Sequence, residues 1–154
     1  MAEPTATRPG IDPILQTLLD AFPLEIKVAD GVEAARQKMR QIEPPAELLP
    51  TMRIEERTID FGDLTGIPVR IYWPPIPAHD DLPVVVFYHG GGWAIGDLDT
   101  HDAIARHYAK HADAIVVAVD YRLAPEHRFP AAVDDAYAAV VWAGTHAHEI
   151  SGDA

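Results

Sequence analysis

The residues in this sequence best suited to chemistry are the run His89-Gly90-Gly91-Gly92-Trp93, directly after the apolar stretch Leu82 to Tyr88. Glycine adopts positive φ at little cost and lets a ligand approach the main chain closely. Three glycines in a row can therefore turn several N–H groups toward one point. Such donors stabilise the charge that develops on an oxygen during acyl transfer. A plain structural turn is the competing reading of the same residues. A phosphate loop would need a G-x-x-x-x-G-K-[ST] spacing, and the lysine is missing. A dinucleotide fingerprint would need the glycines to run straight into a helix, whereas Trp93 to Asp99 intervenes here.

The other candidate groups read more plainly. The chain has no cysteine, so disulfides, thiolate metal sites and a cysteine nucleophile are excluded together. It holds one serine, Ser151, in the stretch Ile150-Ser151-Gly152-Asp153-Ala154, without the preceding glycine of a G-x-S-x-G elbow. His107 and His111 lie four apart without an HExxH pattern, which fits a solvated helix face better than a metal site. Asp97, Asp99, His101 and Asp102 cluster after the glycines, and Asp99 or Thr100 is expected to cap the next helix. Asp134 and Asp135 are adjacent on a helix and point about 100° apart, so they make no acid–base dyad. Trp73 and Trp142 are expected to be packing residues.

Several elements must position the glycine loop. Apolar residues from Ile11 to Phe22 recur at helical spacing, with Asp12 as N-cap and Pro13 as the first helical residue. Asp30 is expected to cap a second helix with Val32, Ala35, Met39 and Ile42 on one stripe, ended by Pro44 and Pro45. Met52 to Phe61 and Ile67 to Trp73 read as a hairpin around the turn Asp63 to Gly66. Leu82 to Tyr88 and Ala114 to Val119 are continuous apolar runs, as in strands buried on both faces of a parallel sheet. A helix from Thr100 to Ala112, with Ile104, Tyr108 and Ala112 on one face, joins them into a right-handed βαβ unit. Another helix opens at Phe129-Pro130, with Val133, Tyr137, Val140 and Val141 expected on its packing side and Asp134 and Asp135 in its first turns.

Together, Tyr88-His-Gly-Gly-Gly-Trp93, Gly96-Asp97, Asp120-Tyr-Arg-Leu-Ala-Pro-Glu-His127 and Phe129-Pro-Ala-Ala132 resemble the hormone-sensitive-lipase-like branch of the α/β-hydrolase esterases. The resemblance runs from about Met52 onward. It implies an α/β fold comprising the N-terminal half of an α/β-hydrolase: a hairpin plus a parallel βαβ unit in a three-layer α/β/α arrangement, preceded by two cap helices. Residues 1–50 would form the N-terminal tail and cap helices, and 51–154 a partial hydrolase domain. The implied activity is carboxylic-ester hydrolysis by a Ser-Asp/Glu-His triad. The N–H groups of Gly91 and Gly92 would be oxyanion donors, Gly90 would shape the turn, and His89 and Trp93 would hold the loop and line the substrate pocket. Tyr121 and Arg122 would brace the second motif. In that family the serine, acid and histidine all follow this stretch, so the 154 residues alone are expected to be inactive. A non-catalytic ligand receptor on the same scaffold, or a fragment that pairs with a complementary chain, are the alternatives.

The expected partner is a small-molecule ester, with no cofactor and no metal. A formal charge of −12, from 24 acidic against 12 basic residues, disfavours nucleic acid and anionic membranes. No run approaches the roughly 20 apolar residues of a membrane span, and Met1 to Gly10 has no secretion-signal pattern, so a cytoplasmic location is expected. The strand Leu82 to Tyr88 would present an open apolar edge, a route to homo-oligomers or aggregation.

Overall fold

In the computed structural model, residues 10–13, 15–17, 30–42, 44–78 and 80–153 are described. Of the helix expected over Ile11 to Phe22, residues 13 and 15–17 are helical, and the expected N-cap Asp12 accepts from the Leu15 N–H at 3.4 Å; residues 14 and 18–22 lie outside the described ones. The second helix is present as α1 (Val32–Arg40) and buries Ala35. Its cap differs from expectation: Gly31 is the N-cap with no side-chain bond, and Asp30 instead pairs with Lys38 at 2.8 Å. A short 3-10 turn (Ala46–Leu48) leads to the sheet.

The hairpin is β1 (Ile54–Phe61) with β2 (Leu64–Tyr72), antiparallel, and its turn is tighter than Asp63 to Gly66 because Leu64 already pairs with Phe61. Then follow β3 (Leu82–Tyr88), α2 (Asp102–Ala112), β4 (Ile115–Val119), α3 (Ala131–His146), a 3-10 turn (Ala147–Ile150) and β5 (Gly152–Asp153). The sheet order is β1-β2-β4-β3-β5, with β3 parallel to both β4 and β5. This is the hairpin plus parallel βαβ unit that the apolar runs imply.

Every residue of β4 is buried, because the strand is covered on both faces. Successive side chains of a strand point to opposite faces. Accordingly Ile115, Val117 and Val119 join the α3-side core with Ile67, Val69, Ile71 and Trp142, while Val116 and Ala118 join Tyr72, Ala105 and Ala109 on the α2 side. Trp73 and Trp142 are packing residues as expected, and the Trp73 indole N–H also donates to the Ile150 carbonyl at 2.9 Å.

α3 docks through a face other than the one expected, and in α2 the face shared by Ile104, Tyr108 and Ala112 is the outward one. α3 packs through Asp135, Ala138, Ala139, Trp142 and Ala143, leaving Val133, Tyr137 and Val140 at least half exposed. α2 packs through Ala105 and Ala109, with Ile104, Tyr108 and Ala112 outward. The reason is closeness of approach: alanine lets a helix axis sit low on the sheet, where larger side chains would hold it off. The cap expected for α2 is also absent, since its N-cap His101 makes no side-chain cap bond. Asp99 pairs with Arg70 and Thr100 with Asp97 instead. Among the described residues no helix is long and apolar enough to cross a membrane.

Candidate active site

The glycine run lies at the C-terminal end of β3. Gly91 has φ +131° and Gly92 φ +62°, so the chain turns sharply here. The Gly91 carbonyl accepts from the N–H groups of Ala94 (3.2 Å) and Ile95 (3.1 Å), closing a helical turn. A side chain at Gly91 would collide with the Ile95 carbonyl, whereas one at Gly92 would meet nothing within 4 Å. Among the described residues, the N–H groups of Gly91 and Gly92 donate to no acceptor of this chain. They border a cleft of about 370 Å³ lined by Tyr88, His89, residues 90–92, Trp93, Tyr121, Ala132 and Ala136.

Each expected site residue falls on this cleft, in different roles. His89 is only 5% exposed and stacks on Tyr121 at 4.4 Å between ring centroids. Its Nδ1 lies 2.9 Å from the Gly90 carbonyl, which can only accept, so Nδ1 carries the proton. The Tyr121 hydroxyl donates to the His89 carbonyl at 2.7 Å. Trp93 is 66% exposed at the rim. Tyr88 forms the floor, donating to the Ala136 carbonyl at 2.6 Å, and burial pushes its phenol up to about 12.

The second motif is bound to the first. The Ala124 N–H donates to the Trp93 carbonyl at 2.8 Å. Arg122 grips Asp135 through Nε and a terminal nitrogen, the latter at 2.7 Å, while its own backbone N–H donates to the same carboxylate at 2.9 Å. Arg122 and Tyr121 therefore brace, as the resemblance implies. The structure adds Asp135, which sequence reasoning placed only as a favourable charge in a helix's first turns. It also adds Arg36 of α1, which donates to the Ala94 carbonyl at 2.9 Å. No local pattern in the sequence signals either partner.

Electrostatics around the turn are mixed. Burial opposes ionisation of Asp97, but the Thr100 N–H and the Arg40 guanidinium outweigh it and hold the carboxyl below its ordinary range. Burial raises Asp120 and lowers His101. His107 and His111 stack on each other along the outward face of α2. Ser151 lies at the far end of the sheet. Gly152 pairs with Leu82 at the start of β3, and from there to Tyr88 is roughly 20 Å at about 3.3 Å per residue.

Fold and site thus define a three-layer α/β protein that presents unpaired backbone donors at the C-terminal end of a half-buried parallel strand. Residues 85–154 match a family described as alpha/beta hydrolase fold. The chain is 60% identical over 153 residues to "Carboxylesterase NlhH" of Mycobacterium tuberculosis, covering 99% of this chain and 48% of that protein. It superposes on the solved structure "Crystal Structure of DphMB1" with a TM-score of 0.84 and 46% identity, over 95% of this chain and 46% of that one. A hyperthermophilic esterase from the archaeon Pyrobaculum calidifontis gives a TM-score of 0.79 and 36% identity, over 93% of this chain and 46% of that one. The chain spans about half the length of the curated relatives it matches. Its fold matches the N-terminal half of an α/β-hydrolase, and its sequence is similar to the hormone-sensitive-lipase-like branch of that family.

Proposed function

We propose that this chain supplies the oxyanion-binding half of a serine carboxylesterase acting on small esters. The observation that carries the reading is the pair of adjacent unpaired N–H groups at Gly91 and Gly92, opening on a cleft. Donors fixed in advance where charge develops lower the barrier without reorganising during reaction. Gly90 shapes the turn, and His89 and Trp93 hold it and wall the cleft. Residues 1–50 act as tail and cap, and 51–154 as the hydrolase portion.

The 154 residues alone do not turn over esters in this reading. Ser151 is a strand-length away from the donors, and an oxyanion site without a nucleophile and base leaves only residual stabilisation. A β5 extended in its present register would reach the level of the turn about six residues beyond Asp153. A serine elbow would sit there. The test is hydrolysis of p-nitrophenyl butyrate by the chain alone and by the chain joined to the remaining half of the 60%-identical carboxylesterase. The chain alone should match background, and the joined protein should show turnover. Turnover by the chain alone that vanishes in Ser151→Ala would overturn the reading.

The flank of β3 supports a second proposal, self-association. β5 covers only Leu82 and Pro83, so the edge is capped at one end and has no strand neighbour from Val84 to Tyr88 among the described residues. Open apolar edges recruit further strands. Sedimentation of the chain should show concentration-dependent oligomers. A monomer at every concentration would count against the proposal.

A further inference from the structure

The guanidinium of Arg36, on α1, sits astride both motifs that form the cleft. Its Nε donates to the Ala94 carbonyl at 2.9 Å and one terminal nitrogen to the Ala124 carbonyl at 3.1 Å. Its two terminal nitrogens also take the two carboxylate oxygens of Glu126, each at 2.8 Å. Ala94 closes the turn on Gly91, and Ala124 donates to Trp93. One side chain from a helix more than fifty residues away thus holds both strands of a cross-link around the glycine turn.

We infer that Arg36 is a positioning residue that locks α1 to the glycine turn and fixes the direction in which Gly91 and Gly92 present their N–H groups. An exposed ion pair with Glu126 alone would contribute about 0–1 kcal/mol and position little. Two of the acceptors here are main-chain carbonyls, and the Arg36 side chain is only 15% exposed. Hydrogen bonds from a charged donor are the stronger kind. Glu126 keeps the guanidinium plane oriented, and Arg36 in return holds its carboxyl down to about 2. Only a planar fork with several donors meets two carbonyls and a carboxylate at once; a lysine ammonium does not. The consequence for catalysis rests on the esterase reading, whereas the contact itself does not. In that reading α1 sets the donor geometry.

The experiment is NMR of the isotope-labelled 154-residue chain as wild type, Arg36→Met, Arg36→Lys and Glu126→Gln. Arg36→Met should shift the amides of residues 91–95 and speed exchange of the Ala124 N–H by about tenfold or more, the scale of a lost charged-donor bond. The Val116 to Ala118 amides of the core should stay in place. Arg36→Lys should fail to restore the turn, and Glu126→Gln should move it less than Arg36→Met. The Glu126 carboxyl should titrate near 2 in the wild type and return toward its ordinary 4.5 in Arg36→Met. Because the folded value is the lower one, the ion-pair part of the lock is complete above 4.5 and is lost as pH falls through about 2. Should Arg36→Met unfold, Arg36→Lys decides on the same amides, since it keeps the charge and the aliphatic stem. Unchanged turn amides and unchanged Ala124 exchange would overturn the inference. Ester turnover plays no part in this readout, so failure here leaves the esterase reading standing, and the reverse.

Discussion

Asp135→Ala is expected to lower the unfolding free energy by about 3 kcal/mol, the low end of the scale for breaking a buried charge pair, because the carboxylate is buried while its Arg122 partner is 38% exposed. Asp135 is 1% exposed, and its carboxylate takes three donors from one residue: the Arg122 Nε, a terminal nitrogen and the backbone N–H. Alanine leaves all three donors without their acceptor and opens a cavity beside the guanidinium. For a chain of this length each kcal/mol shifts the midpoint by roughly 2–4 °C, so a fall of roughly 6–12 °C is expected on heating. Asp134→Ala is the control, since Asp134 is exposed and its side chain accepts no hydrogen bond among the described residues. A change below about 1 kcal/mol for Asp135→Ala, the level of an ordinary surface pair, would show that the clamp is not structural.

The clamp also explains the geometry of the second motif. Tyr121 faces inward on the His89 side, and Arg122 faces α3. Neighbouring residues thus fix the turn from two directions, one to β3's end and one to the helix.

Much of this was legible in the sequence. The continuous apolar runs identify both β3 and β4, but the burial on both faces expected of them holds only for β4; in β3 only Leu82 is buried, and Pro83 and Val85 are exposed. The glycine run and Asp120 to His127 locate the cleft. The facing of α2 and α3 was not legible, for a physical reason. Periodicity selects the largest apolar side chains, Tyr137 and Val140 or Ile104 and Tyr108, whereas close packing on a sheet selects alanines. Runs such as Ala138-Ala139 carry little hydrophobic signal and yet form the contact. Asp135 and Arg36 were hidden for another reason. Their partners lie 13 and up to 90 residues away, and no local spacing encodes such pairs. The expected caps at Asp30 and at Asp99 or Thr100 are absent because other groups engage those side chains: Lys38 takes Asp30, Arg70 takes Asp99, and the Asp97 backbone takes the Thr100 hydroxyl.

The sharpest consequence for function is a contrast between two neighbouring glycines. In Gly91→Ala the new Cβ would lie 2.6 Å from the Ile95 carbonyl carbon, at a φ of +131° that side chains avoid. That carbonyl cannot retreat freely, because the Ile95 N–H is held to the Gly91 carbonyl within the same turn. The turn must open, and both donors lose their direction. On the proposed esterase reading, in the protein joined to the remaining half of its carboxylesterase relative, turnover of p-nitrophenyl butyrate should fall by roughly 10²–10³, the effect of losing an oxyanion donor. Gly92→Ala differs in kind. Its φ of +62° strains a side chain by about 1–2 kcal/mol, but nothing lies within 4 Å of the added carbon and the N–H stays where it was. It should therefore cost stability while turnover stays within about tenfold, since 1.4 kcal/mol is tenfold in rate. Turnover and the denaturation midpoint, measured on the same two variants, separate the effects. Equal loss of turnover in both would mean that strain in the turn, and not the aim of its N–H groups, governs the chemistry.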